Sequence, residues 1–127
     1  MPSSGLSGPF DLTESNILTY VPPRRIGTYM LGMIDRRSKT FLVAYTGRSD
    51  TDLAARLRGW VGLYSQFKFG LSRYAEDAFD KECRLYHDFA PPDTKLHPAS
   101  PRGSNAQCPI CSIRVPAFAN IFLVDSM

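Results

Sequence analysis

The chain has no apolar run long enough for a membrane span. Its longest hydrophobic stretches, 41–45 and 117–124, fall well short of the ~20 residues a helix needs to cross the hydrocarbon layer. The first ten residues have neither a basic start nor an apolar middle. No secretory signal is therefore expected, and a cytoplasmic protein is. Cysteine is scarce and odd in number, with only Cys83, Cys108 and Cys111. In a chain without a signal, that argues against a disulfide framework. Neither sign of charge dominates. Fifteen Lys and Arg against twelve Asp and Glu leave a net charge of +3 and a pI near 8.9. Such a balance permits a nucleic-acid partner without requiring one. Repeats and heptads are absent too.

What is present suits one globular domain with a small appendage. The chain has 127 residues, 43% apolar and 21% charged. Charge is unevenly placed. Arg24, Arg25, Arg36, Arg37, Lys39, Arg48, Arg56 and Arg58 lie in the first half, whereas Glu76, Asp77, Asp80 and Glu82 cluster later. This suits an enzyme that binds a polyanion and holds a divalent metal. It is also the ordinary mixture of a solvated surface.

Residues 1–24 read as an N-terminal arm. Positions 1–10 are rich in Ser, Gly and Pro and suggest a loose segment. Asp11 or Thr13 could cap a short turn before Pro22 and Pro23 stop any regular element. Residues 25–34 and 40–46 are β-favouring, and the polar stretch 35–39 between them has hairpin length. Gly47 would end the second strand. A short helix is expected over 51–59, with Ser49, Asp50 or Thr51 as cap and Gly59 as its close. A third strand is expected over 63–69. The strongest helical pattern is 74–89, ended by Pro91 and Pro92. Residues 90–116 hold six prolines and little periodicity, so something must hold them in place. Residues 117–124 could add a strand or a packed tail. The expected fold is α+β, a small antiparallel sheet of about three strands flanked by helices.

A second pattern suggests metal. Cys83 and His87 are four apart on one helix and share a face. Cys108 and Cys111 form a Cys-x-x-Cys turn. Together these make a four-ligand set of the kind structural zinc takes, with His97 able to replace Cys83. A closed zinc knuckle would staple the irregular tail to the helix. Glu82 and Cys83 point about 100° apart, so Glu82 can face a cleft while Cys83 and His87 face the tail.

Four motifs then come in order: Gly27-Thr28-Tyr29, Tyr45-Thr46-Gly47 followed by Arg48, Asp52-Leu53-x-x-Arg56-Leu57, and Glu82 in the long helix. This succession resembles the GIY-YIG nuclease superfamily over about residues 25–90, leaving 91–127 as a proline-rich tail. The resemblance implies a metal-dependent endonuclease that hydrolyses DNA phosphodiester bonds with one Mg²⁺ or Mn²⁺. By motif position, Tyr29 would lie nearest the attacking water with Tyr45 as partner. Arg56 would clamp the phosphate, and Glu82 would hold the ion. Arg36, Arg37, Lys39 and Arg48 are the candidate DNA contacts. The chain departs from the pattern at Thr28 and Thr46, where relatives carry Ile or Val. It departs again at Trp60, where some carry His, and near Thr94, where many carry Asn. A fold that binds nucleic acid or protein without cutting is the alternative. Specificity would come from the tail, a homodimer or a partner protein.

Overall fold

A computed structural model describes residues 4–116. The described residues form four strands and three helices: β1 (Ser7–Asp11), α1 (Glu14–Tyr20), β2 (Ile26–Ile34), β3 (Phe41–Ser49), α2 (Leu53–Arg58), β4 (Gln66–Ser72) and α3 (Ala75–Phe89). The strands make one antiparallel sheet in the order β1-β4-β2-β3. The α+β class is as expected, but the sheet has a fourth strand. The expected element at 117–124 lies outside the described residues.

The extra strand comes from the segment read as a loose arm. β1 pairs with β4 at the sheet's edge. Proline is tolerated there because an edge strand leaves one side of its backbone unpaired. Phe10 anchors it, stacking on Tyr20 with ring centroids 4.1 Å apart and packing on Phe67 and Phe69. The following helix starts where the Thr13 hydroxyl accepts from the Asn16 amide at 3.1 Å. It stops at Val21, before Pro22. The residues of 1–24 that enter the core are Leu12, Ile17 and Val21.

Side chains alternate across a strand, so the central β2 serves two layers. Tyr29 and Leu31 join Phe67 and Phe69 beneath Leu53, Ala54 and Leu57 of α2. The two helical leucines are fully buried, and each contributes about 1.5–3 kcal/mol. From the other face, the Thr28 hydroxyl donates to the Ala78 carbonyl of α3 at 3.1 Å. Thr28 thus ties α3 to the sheet.

Boundaries shift by a few residues. β3 runs through Gly47 to Ser49, which places Arg48 in the strand. The cap of α2 is Asp52, accepting from the Ala55 amide at 3.2 Å. Ser49 instead accepts from the Asp52 amide at 2.9 Å. β4 begins at Gln66, after a loop through 62–65.

Beyond α3 the chain turns back along β3. The Asp93 amide donates to the Ala44 carbonyl at 2.8 Å, and the Thr46 amide donates to the Thr94 hydroxyl at 2.9 Å. These bonds occupy the outer edge of the sheet, which would otherwise present unpaired backbone groups.

The turn out of α3 places exposed Ala90 in the left-handed region, at φ 44° and ψ 59°. That conformation costs an L-residue about 1–2 kcal/mol. Ala90→Gly should therefore stabilise the protein by about 0.5–1 kcal/mol after the extra chain entropy of glycine is counted. A urea titration followed by Trp60 fluorescence reads this as a higher midpoint, and a lower one contradicts it.

Candidate active-site cleft and metal cluster

The hairpin sets the two tyrosines. Tyr29 sits on β2 directly opposite Gly47 on β3. A Cβ at Gly47 would lie 2.5 Å from the Tyr29 hydroxyl and 2.6 Å from its Cζ. Glycine is needed here because the Tyr29 ring lies across the strand. Tyr45 stacks nearby, its ring centroid 6.2 Å from that of Tyr29 and 4.7 Å from that of Trp60. The Trp60 indole N–H donates to the Tyr29 hydroxyl at 2.9 Å. Burial, reinforced by Tyr45, pushes the Tyr29 phenol far above its usual range, and the Trp60 bond only partly offsets this. Burial and the Glu82 charge also raise Tyr45, while Arg56 opposes them.

Glu82 projects from α3 to the same place and is only 8% exposed. The Arg48 Nη1 donates to its Oε1 at 2.7 Å. Nε and Nη2 of Arg48 go to the two oxygens of Asp50, at 2.7 and 3.3 Å. The guanidinium lies 5.2 Å from the Phe79 ring centre. Burial raises the Glu82 carboxyl above the usual range, and Arg48 reduces that rise without cancelling it. For Arg48, burial alone would lower the value, but Asp50 and Glu82 together hold it above normal.

Tyr29, Tyr45, Arg56 and Glu82 line one cleft of about 460 Å³ at the outer edge of β3. The four motif residues, far apart in sequence, are brought together. Arg56 is exposed on its rim and forms no ion pair among the described residues. Tail residues including Thr94, Lys95 and Arg102 form the opposite wall.

The expected DNA contacts divide. Arg48 is in the cleft, with its guanidinium held between the carboxylates of Glu82 and Asp50. Arg36, Arg37 and Lys39 are exposed on the hairpin turn, at the far end of β3. Tyr45, where the cleft begins on β3, is four residues from Phe41 at the turn end, about 14 Å at about 3.4 Å per step, so these three stand outside the cleft lining. Sequence reading missed the Asp50 clamp, whose only signal was an acid two residues after Arg48. It also missed the tail's cations. Thr94, near the expected Asn position, spends its hydroxyl on the Thr46 backbone.

The second site is a cluster of His87, His97, Cys108 and Cys111, whose ligand atoms all lie within 4.8 Å of one another. The Cys111 Sγ is 3.4 Å from the His97 Nε2. Two ligands of one tetrahedral zinc, at about 2.0 and 2.3 Å from the ion, stand about 3.5 Å apart. The His97 Nδ1 is 2.9 Å from the Pro98 carbonyl. A carbonyl can only accept, so Nδ1 carries the proton and Nε2 offers its lone pair. The His87 Nε2 is buried with no hydrogen-bond partner among the described residues. Burial raises Cys108, but the amides of Cys111 and Ile110, with His97, outweigh it and bring the thiol down to about 6. Ser112, at φ 64°, lets the turn close, its amide donating to the Cys108 carbonyl at 2.9 Å. This His₂Cys₂ group can hold a metal ion such as zinc.

Of the two candidates for the fourth place, Cys83 stands outside the cluster. It is fully buried beside Phe79 and Cys108 in a small apolar cluster, and His97 takes the fourth place. Burial, with a hydrogen bond to Cys108, pushes the Cys83 thiol up and keeps it protonated. The helix-face argument holds otherwise: Glu82 lines the cleft and His87 joins the tail. No known family, characterised protein or solved structure matches the chain.

Two outcomes follow. Metal analysis of purified protein should find about one zinc per chain in the wild type and in Cys83→Ser, and little in His97→Ala or Cys111→Ser. Zinc lost in Cys83→Ser and kept in His97→Ala would reverse the assignment. Gly47→Ala should cost about 1–3 kcal/mol, because the Tyr29 ring must move. Chemical denaturation measures the loss, and Trp60 fluorescence should change as its bond to Tyr29 is disturbed.

Proposed function

We propose that the chain is a divalent-metal-dependent endonuclease of GIY-YIG type, which hydrolyses DNA phosphodiester bonds. The convergence of Tyr29, Tyr45, Arg56 and Glu82 on one cleft carries this reading. Each brings the group the reaction needs. The Arg56 fork can take a phosphate with two parallel donors. Glu82 is the residue that would hold a hard cation such as Mg²⁺ or Mn²⁺. The donor set fits. Arg48 is shared by Glu82 and Asp50, so the trio keeps a net charge of −1, and Oε2 of Glu82 is not part of the Arg48 pair. An ion with few protein ligands completes its shell from water and phosphate. When bound, it supplies Lewis-acid stabilisation of charge on the leaving oxygen.

The tyrosines favour one role over another. Burial holds Tyr29 neutral, so it orients the attacking water by hydrogen bonding and does not deprotonate it as a resting phenolate. Tyr45, half-buried beside it, completes the contact. Zinc in the His₂Cys₂ cluster would be structural, with all four positions filled by protein. The free thiols of Cys83, Cys108 and Cys111 suit a reducing, intracellular setting.

The Arg48–Glu82 pair also favours a second reading, a module that binds nucleic acid without cutting, since Arg48 occupies one oxygen of the proposed ligand. Supercoiled plasmid with Mg²⁺ or Mn²⁺ decides between them. Wild type should nick it, and Glu82→Gln should lower the rate by about 10²–10³-fold or more while still binding DNA. Salt-sensitive binding by an uncutting wild type supports the module. Neither binding nor cleavage refutes both.

A further inference from the structure

We propose that the metal-stapled tail is the phosphate-gripping wall of the cleft, with Lys95 and Arg102 holding DNA phosphates that flank the one at Arg56. This rests on the endonuclease reading and names the surface that receives the substrate.

The cations available to a polyanion in the cleft are few. Arg48 is neutralised by Glu82 and Asp50. Arg56 stands on the α2 rim, and Lys95 and Arg102 stand on the tail side. Both tail cations are exposed. Neither forms an ion pair among the described residues, and the Lys95 ammonium donates only to the Pro92 carbonyl, at 2.8 Å. Asp93, the acid on that wall, is turned to the Tyr64 hydroxyl at 2.8 Å. Lys95 and Arg102 against Asp93 leave the wall a net charge of +1, and Arg56 adds a cation on the α2 rim of the same cleft, which Glu82 also lines.

The backbone under these cations is fixed at close intervals. Lys95 follows Thr94, which is bonded to β3, and precedes the metal ligand His97 by two residues. Arg102 follows Ser100 and buried Pro101, where the Ser100 amide donates to Val115 at 2.8 Å and its hydroxyl to Ala106 at 2.6 Å. Arg102 thus lies inside the loop that His97 and Cys108 close around the metal. A cation on a floating tail would lose much of its binding energy to ordering, whereas one on a stapled loop is already placed. The metal would act on DNA binding without touching DNA.

The test measures binding of a short fluorescein-labelled DNA duplex over a salt series. It uses the full wild-type chain without added Mg²⁺ or Mn²⁺, so that the probe is not cut. Adding Lys95→Gln and Arg102→Gln should weaken binding and reduce the slope of log affinity against log salt by about 1.8, close to 0.9 for each phosphate contact. Zinc content and thermal midpoint, measured on the same samples, should stay at the parent values, which separates lost contacts from lost folding. An unchanged slope overturns the proposal. So does a full loss in Arg36→Gln/Arg37→Gln/Lys39→Gln with none in the tail pair. Plasmid cleavage by wild type alongside an unchanged slope overturns this inference alone. No cleavage by wild type and no salt-dependent binding overturn the endonuclease reading with it.

Discussion

The structure turns on a carboxylate that is almost out of water. An ionised Glu82 at 8% exposure would be costly without a partner, because burial removes the hydration of its charge. Arg48 supplies the partner from β3, thirty-four residues away in sequence, and Asp50 holds the rest of the guanidinium. Removing one member of such a buried pair costs on the order of 3–5 kcal/mol, since the other charge is left stranded. The pair therefore pins α3 across β3. The Thr28 hydroxyl adds a second tie, from β2 to the Ala78 carbonyl one turn earlier on α3. With both in place, the helix can neither slide nor roll without breaking a buried polar contact.

Once α3 is fixed, its periodicity places two sites at once. Glu82 and His87 are five residues apart, about 140° around the helix. The first points to the cleft and the second to the tail. Among the described residues the tail has little apolar core, chiefly Ala99 and the contact of Cys108 with Phe79 and Cys83. These residues are held by polar ties, Asp93 and Thr94 on the edge of β3, and by the gathering of His97, Cys108 and Cys111 at His87. The same ties close an open sheet edge and bring a wall up to the cleft.

Legibility in the sequence followed the range of each interaction. The β2–β3 hairpin and α3 were readable because their patterns are local. That Tyr29, Tyr45, Arg56 and Glu82 meet in one cleft was legible through the order of the motifs, and that Cys108 and Cys111 come together through their spacing. β1 was hidden. Its Ser-Gly-Pro composition looks like a loose arm, and its strand character comes from β4, more than fifty residues away, and from Phe10 reaching the core. The fourth member of the metal-like cluster was left open between Cys83 and His97 for a related reason. The i, i+4 rule fits Cys83 with His87 well, but it cannot see that an aperiodic segment brings His97 to the same point. The pairing of Arg48 with Glu82 was hidden because a basic residue in sequence carries no sign of a distant acidic partner.

Under the proposed endonuclease reading, Trp60 limits how a proton can move in the cleft. An indole has one donor and no acceptor. The Tyr29 oxygen therefore accepts from Trp60, which leaves its proton to point elsewhere, with the Tyr45 ring stacked beside it. A histidine at position 60 could take up a proton and pass it on, whereas tryptophan cannot. If Tyr29 orients the attacking water, no relay through position 60 can remove the water's proton. It must leave through the cleft itself, to the phosphate or to solvent at the open rim near Arg56. The site is then one in which placement and electrostatics matter more than a built-in base. That suits a reaction whose barrier a bound cation and an arginine can lower directly.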